Sequence, residues 1–565
     1  MSIPRPEPTV SRESLGSAGP DTDLIVRLAK ELFGEVRKGK PSGLPDSSAA
    51  PTGPGLAGAY PADRTYAPPV HPPSETLAQP APASPAKPRC PDSGAAGTSG
   101  SHPFGEPVDL AGRDHVPTGT HAAPSPVGGA LPELDAPSFY FIREPSVPTP
   151  SGLPSAKAPA APVFDVEGVR RDFPALHQQV NGHPLVFLDN AATTQKPQAV
   201  IDATSNFYAK DNSNIHRAAY ALAERATAAF EGGRQKVQQF LGASSAHEII
   251  FTRGTTESIN LVANTYGRKN IGPGDEIILT RLEHHANIVP WQMLAQRVGA
   301  TLRVVPINDR GELILEEFVK LLSPRTKLVA VAHVSNSLGT INPIEQIIPL
   351  AHARGVPVLV DGAQSTPHIP INVQALDVDF FVFSGHKVFG PTGIGAVYAK
   401  QSILDKLPPW QGGGHMIKDV TFERTIYQDA PEKFEAGTPD IAGVVGLGAA
   451  IDYMFKVGIP GIAAYEHALL EYATKALATV PGLRPIGTAH HKASVLSFVI
   501  PGRDNVAIAK HLDQHGIAVR AGHHCSQPAQ RHFGLETTVR PSLAFYNTHA
   551  EIDALVDALH KLPKK

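Results

Sequence analysis

The sequence predicts an α/β core with a smaller second domain, preceded by a long leader that has nothing to bury. Three observations predict it. From about residue 161, short apolar runs alternate with helix-length segments, the pattern of a sheet covered by helices. Several of those runs are continuously apolar, as strands buried on both faces must be. Thirty of the 55 prolines fall within residues 1–160 of a 565-residue chain, so two different materials are joined near that point.

The leader comes first. Residues 1–160 are rich in Pro, Ala, Gly and Ser, with runs such as 77–85 that cannot offset the entropy of ordering the chain, and they read as disordered. Two islands break the pattern. Asp21-Thr22-Asp23 can cap a helix whose Leu24, Ile25, Leu28, Leu32 and Val36 fall at helical spacing. Ser138-Phe139-Tyr140-Phe141-Ile142 sets three aromatics in a Pro-rich stretch. Each island either folds back on the main domain or docks on another protein as a groove-bound helix or extended peptide.

The expected strands of the core are 186–188, 248–251, 276–279, 328–331, 358–360, 380–383 and 395–398, with helical stretches at 218–241, 257–266 and 344–354. Beyond about residue 430 the pattern restarts with longer helices and a strand at 495–499. The reading therefore divides the chain into a leader (1–160), an N-terminal arm packing with the small domain (161–180), a large domain (181–430) and a small C-terminal domain (431–565). No internal repeat is visible.

Composition narrows the function. A formal charge of -3 with 18% charged residues gives no reason to expect nucleic acid or a membrane as partner. Cys90 and Cys525 are the only cysteines, one in each part, so a free thiol in a reducing compartment is expected rather than a disulfide framework. No run of about 18 apolar residues and no secretion signal occurs, and a cytoplasmic protein is expected.

Polar residues gather where the strands end, the place where open α/β sheets bind ligands. Strand 358–360 runs into Asp361-Gly362-Ala363-Gln364, and strand 380–383 into Ser384-Gly385-His386-Lys387. An isolated lysine is usually a solvated surface group. Here an amine able to form a Schiff base and a carboxylate able to pair with a pyridinium nitrogen stand at two strand ends, the combination that pyridoxal phosphate requires. Arg253-Gly254-Thr255-Thr256-Glu257 follows a strand and opens a helix, so backbone N–H groups and two hydroxyls can converge on a phosphate. Alone, such a Thr-Thr pair is more often a cap. Glu283-His284-His285 supplies an imidazole that can stack on a planar cofactor, and adjacent histidines make a two-ligand zinc site unexpected, so no metal is assigned.

With Leu188-Asp189-Asn190-Ala191-Ala192, His284-His285-Ala286-Asn287 and Arg520-Ala521-Gly522-His523-His524-Cys525 added to these motifs, residues 161–562 resemble the SUF-type, group II cysteine desulfurases of the class V aminotransferase family. The resemblance implies a fold-type I enzyme, a mixed, mostly parallel large-domain sheet with a smaller α+β domain, working as a homodimer. It implies that Lys387 holds pyridoxal 5'-phosphate and moves protons, that Asp361 pairs with the ring nitrogen and Gln364 contacts the ring oxygen, and that His284 stacks on the ring. Thr255, Thr256, Ser384 and His386 are implied to hold the phosphate, with Thr438 reaching across from the second subunit. Asn336 and Arg540 are implied to receive the carboxylate of L-cysteine.

Cys525 is then implied to be the nucleophile that takes sulfur as a persulfide, although an arbitrary buried cysteine is usually inert packing. Ser526 and Pro541 depart from the family pattern, where alanine is common at both places. The leader resembles that of the desulfurases enclosed as cargo in family 2 encapsulin shells, which implies a shell protein as partner and a nanocompartment as location. Competing readings are a selenocysteine lyase, a leader that docks a sulfur-acceptor protein for iron-sulfur cluster assembly, a solubilising tail, and a degenerate enzyme serving as a scaffold.

Overall fold

A computed structural model describes residues 164–216 and 219–563. The leader, with both islands and Cys90, lies outside the described residues.

Seven strands form the main sheet: β1 (Ile249–Thr252), β2 (Glu276–Thr280), β3 (Thr301–Val305), β4 (Thr326–Ala332), β5 (Val358–Asp361), β6 (Phe380–Ser384) and β7 (Gly395–Ala399). Their order is β1-β7-β6-β5-β4-β2-β3, and only β7 runs against its neighbours. Continuous apolar runs have the expected consequence. Along β6, Phe381 and Phe383 enter one core while Phe380 and Val382 enter the other. Each fully buried phenylalanine of this kind contributes ~1.5–3 kcal/mol relative to exposure.

Helices cover both faces. On the first lie α1 (Ala221–Leu241) and, further along the chain, α4 (Ile344–His352) and α5 (Ile441–Val457), through Phe230, Val237, Ile348 and Leu447. On the second lie α2 (Thr255–Val262) and α3 (Val289–Val298), through Ile259, Trp291 and Leu294. Helices α1 and α5 approach so closely that a Cβ on Gly233 would stand 2.5 Å from Val444 Cγ1, which is why glycine occupies that turn.

A second core gathers α6 (Ile459–Leu477), α7 (Asn505–Asp513) and, after α8 (Gln527–His532), α9 (His549–His560), against a four-stranded antiparallel sheet. Its strands are β8 (Arg484–Pro485), β9 (Phe498–Val499), β10 (Arg520–Gly522) and β11 (Thr538–Arg540), in the order β8-β9-β11-β10. The arm joins this part: Phe164 stacks on Tyr465 at 4.7 Å, and Arg170 pairs with Glu551 at 3.0 Å.

Several sequence expectations change. The strand at 186–188 is not in the main sheet; Val186–Phe187 pairs in parallel with Ile517–Ala518, and Val186 and Leu188 pack in the second core. Residues 441–457, expected in the C-terminal domain, pack in the main core, as do Ile462 and residues 544–546 further along the chain. The strand at 495–499 shortens to Phe498–Val499, because Leu496 N–H bonds to Pro541 O outside a regular ladder. Helix α2 starts at Thr255 and passes into a π-helical turn over Ala263–Gly267. Among the described residues no single helix is long and apolar enough to cross a membrane.

Candidate active site

A cavity of about 400 Å³ opens at the carboxyl ends of β1, β2, β4, β5 and β6, and every residue to which the sequence analysis gave a catalytic, cofactor or substrate role except Thr438 lines it. Parallel strands make this convergence possible, because five of their ends point the same way.

At the end of β5, Asp361 is buried, and its Oδ1 accepts the N–H of Ala363 at 2.9 Å. Burial pushes this carboxyl up, against the pull of the Ala363 N–H and of Lys387. Beside it, Gln364 Nε2 donates to Ala191 O at 2.6 Å. At the end of β6 stands Lys387, whose amine faces the cavity while protein surrounds it. Burial lowers it to about 8, partly opposed by the Asp361 carboxylate. A lysine near 8 keeps about a tenth of its amine neutral at pH 7, far more than an exposed one.

A cradle of backbone N–H groups and hydroxyls forms where β1 turns into α2. Gly254 adopts φ 144°, which turns the N-terminus of α2 toward β6. There the Thr255 N–H donates to Ser384 Oγ at 2.9 Å, and the two hydroxyls lie 2.8 Å apart. Thr256 and His386 complete the wall. Burial, followed by the charges of Lys387 and Lys196, lowers His386 to about 4, so it faces the cradle as a neutral imidazole.

His284 follows β2. Its Nδ1 accepts the Ala286 N–H at 3.1 Å, and burial, followed by the charge of Lys387, lowers it to about 3. The ring is therefore neutral. The preceding residue, Glu283, is itself fixed, accepting hydrogen bonds from Thr280, Asn287 and the Ala332 N–H, while Asn287 in turn receives the Trp291 indole N–H.

Cys525 sits on the loop between β10 and α8 as a partly exposed free thiol. Both His524 (φ 51°) and Cys525 (φ 54°) are left-handed, an arrangement that costs on the order of 1–3 kcal/mol per residue and persists only when surroundings enforce it. The enforcing contacts are visible. Asn336 Nδ2 donates to His524 O at 2.7 Å, Ser526 Oγ donates to Asn336 Oδ1 at 2.6 Å, and His524 Nε2 lies 2.9 Å from Thr538 Oγ1. Arg540 donates to Asn336 O at 2.9 Å and to Asp189 at 3.1 Å, and its buried Nε has no partner.

Thr438 lies apart, in a second cavity of about 550 Å³ with Trp410 and Asp440. Within one chain it does not join the site. From sequence Arg520 counted only as one of the polar groups beside Cys525 and Asp189 only as part of a motif, yet Arg520 lines the cavity and grips Asp189 through two nitrogens at 2.9 and 3.0 Å. Their motifs were visible, but not that one carboxylate would serve two arginines 20 residues apart. Glu283 was seen only as a neighbour of His284.

The donor set suits pyridoxal phosphate: a buried carboxylate for the ring nitrogen, an amine for the aldehyde, a neutral imidazole for the ring face, and a helix N-terminus with hydroxyls for the phosphate.

Residues 186–555 match the aminotransferase class-V family model, and the chain belongs to that family of pyridoxal-phosphate-dependent enzymes. Within it the chain groups with cysteine desulfurases. It is 59% identical over 424 residues to a cysteine desulfurase of Synechococcus elongatus, covering 75% of this chain and 67% of that one. It is 61% identical over 400 residues to a probable cysteine desulfurase of Mycolicibacterium paratuberculosis, of which the match spans only 58%. It is 49% identical to a cysteine desulfurase of Escherichia coli K12, covering 71% of this chain and 98% of that one. The crystal structure of the Escherichia coli cysteine desulfurase CsdA in an S-sulfonic acid form superposes with a TM-score of 0.66 at 43% identity, over 70% of this chain and 98% of that one.

Proposed function

We propose that this chain converts L-cysteine to L-alanine and takes the sulfur onto Cys525 as a persulfide. The observation that carries the reading is that Cys525 and Lys387 line one cavity with Asp361. In this reading Asp361, Gln364, His284, Lys387 and the Thr255, Thr256, Ser384 and His386 cradle hold pyridoxal phosphate, which when bound supplies the electron sink for negative charge at the substrate Cα.

The chain's own groups do the rest. Arg540 and the remaining amide hydrogen of Asn336 receive the substrate carboxylate, which orients the Cα–H toward Lys387. The Lys387 amine takes that proton and later returns a proton to carbon. The Cys525 thiolate attacks the substrate sulfur: an S–S bond forms, the C–S bond breaks, its electron pair stays with the substrate, and protonation there gives alanine. The tight loop around His524 and Cys525 presents the sulfur at one position rather than over an arc.

Full-length protein loaded with pyridoxal phosphate and given L-cysteine and a thiol reductant should yield alanine and sulfide in equal amounts; no alanine would end this reading. Turnover on L-selenocysteine, where selenium departs without needing the thiol, separates the lyase alternative. A visible absorption band on the purified protein separates the degenerate-scaffold alternative.

Two features extend the reading. Thr438 stands off the site, and on the hairpin of Ile417–Val420 and Thr425–Tyr427 the residues Val420, Phe422, Ile426 and Tyr427 are exposed, which supports a homodimer that completes the cradle. The composition of residues 1–160 supports a docking leader. Its partner in this reading is an encapsulin shell protein in the cytoplasm, with a sulfur-acceptor protein as the alternative. Removing residues 1–160 should spare alanine formation and abolish co-purification with a shell protein; shell binding by the truncated chain would reject that role.

A further inference from the structure

We propose that Lys196 is a positioning residue for the catalytic lysine: with the hydroxyls of Thr193 and Thr194 it holds the carbonyl of His386 and so fixes the peptide from which Lys387 enters the cavity. The inference rests on the desulfurase reading but uses atoms to which that reading gives no role.

Four donors converge on one oxygen. The His386 carbonyl accepts from Lys196 Nζ at 2.9 Å, Thr193 Oγ1 at 3.1 Å, Thr194 Oγ1 at 3.2 Å and the Thr194 N–H at 3.1 Å. A carbonyl oxygen has two lone pairs, so this one is surrounded rather than merely satisfied. The Thr194 hydroxyl also accepts the Phe389 N–H at 3.0 Å, so the same short segment grips both sides of the turn that carries Lys387. That turn is a single 3-10 turn over Gly385–Lys387, with no helix behind it to hold it still.

Lys196 itself needs explaining. It is half-buried, and among the described residues it makes no ion pair; its ammonium is spent on two carbonyls, of His386 and of Thr194, the latter at 2.6 Å. Burial lowers it to about 8. A neutral donor could satisfy two carbonyls equally well. A charge there does more, because a charge-assisted bond is about twice as strong as a neutral one, and its field adds, after burial and the charge of Lys387, to what lowers the adjacent His386 imidazole. Misplacing a reacting group by about 1 Å can cost on the order of 100-fold in rate, so a fixed His386–Lys387 peptide is worth more than its hydrogen bonds.

The test uses full-length holoenzyme with Lys196→Met, which keeps the stem and removes the donors, and Lys196→Arg, which keeps a cation. Four quantities are read: kcat, KM for L-cysteine, the thermal midpoint, and the pH midpoint of the bound cofactor's visible absorption band, which reports the state of the group joined to Lys387. Lys196→Met should lower kcat by about 10-fold or more with KM within about 3-fold, and move the absorption midpoint by about half a pH unit or more. Lys196→Arg should restore most of both. If Lys196→Met does not fold, Thr193→Val removes one of the four donors and should shift kcat and the midpoint the same way by less. A variant that lowers only the thermal midpoint, with kcat and the absorption titration unchanged, overturns the assignment. The absorption titration is readable even if the wild type makes no alanine, so failure of the desulfurase reading shows separately.

Discussion

The backbone N–H of His285 donates to the carbonyl of Cys525 at 2.8 Å, so the loop bearing the Cys525 thiol is tied directly to the loop bearing the His284 imidazole. The thiol and the imidazole therefore share one mechanical unit, although 241 positions of sequence separate His284 from Cys525.

Ser526, a departure from the family pattern, belongs to that unit. It is fully buried, and its hydroxyl fills the Oδ1 position of Asn336 at 2.6 Å. Ser526→Ala leaves that oxygen without its donor and should cost about 1 kcal/mol, read as a lower midpoint in urea. A variant as stable as the wild type would show that this bond does not hold the loop.

Gly254 is predicted to be irreplaceable for cofactor retention. At φ 144° it occupies backbone space essentially reserved for glycine, and a Cβ there would stand 3.1 Å from Ser384 Oγ in the cradle. Gly254→Ala should cost on the order of 1–3 kcal/mol and speed cofactor loss on dialysis by about 10-fold or more. Retention equal to the wild type would separate the turn from phosphate binding.

Arg234 and Glu435 form the buried ion pair that ties α1 to β1. Two bonds of 2.7 and 2.9 Å join them, Arg234 also donates to Ile249 O, and Glu435 accepts the Phe251 N–H at 2.6 Å. Arg234→Met should destabilise by about 3–5 kcal/mol, because it strands a buried carboxylate, and adding Glu435→Gln should recover part of the loss. Chemical denaturation of the two variants checks both statements.

His333 gives the sharpest pH dependence. It is wholly buried with neither ring nitrogen bonded, and burial lowers it to about 3. The unfolded chain takes up a proton at this residue below about pH 6.5 while the folded chain does not, so the residue's share of stability is complete above 6.5 and is lost as pH falls toward 3. Compared with His333→Leu, the wild type should lose up to about 1.4 kcal/mol per pH unit over that window. Parallel curves for the two proteins from pH 7 to pH 4 would contradict the burial argument.

The residues that gather in the cavity were more legible in the sequence than the architecture around them. Asp361 and Lys387 announce themselves because each follows a continuously apolar run, and such runs end at the ligand side of a parallel sheet. Val186 misled because a three-residue apolar run carries no mark of its partner, and here the partner is Ile517, over 300 residues away. Helix α5 was placed in the second domain since an all-round apolar helix does not say which core it enters; the glycine at 233 that admits it is read only once the packing is known. The left-handed backbone at His524 and Cys525 left no trace, because neither residue is glycine and the bonds from Asn336 and Thr538 that hold it are long-range. Nothing in the sequence singled out Lys196, because its partner, the His386 carbonyl, lies 190 positions away.

The central claim, that Cys525 takes the sulfur, is tested most directly by mass spectrometry of the holoenzyme after one exposure to L-cysteine without reductant. One added sulfur on the peptide containing Cys525, matched by one alanine and absent from Cys525→Ala, is the predicted result. Alanine released with Cys525 unmodified, or released as fast by Cys525→Ala, would contradict it.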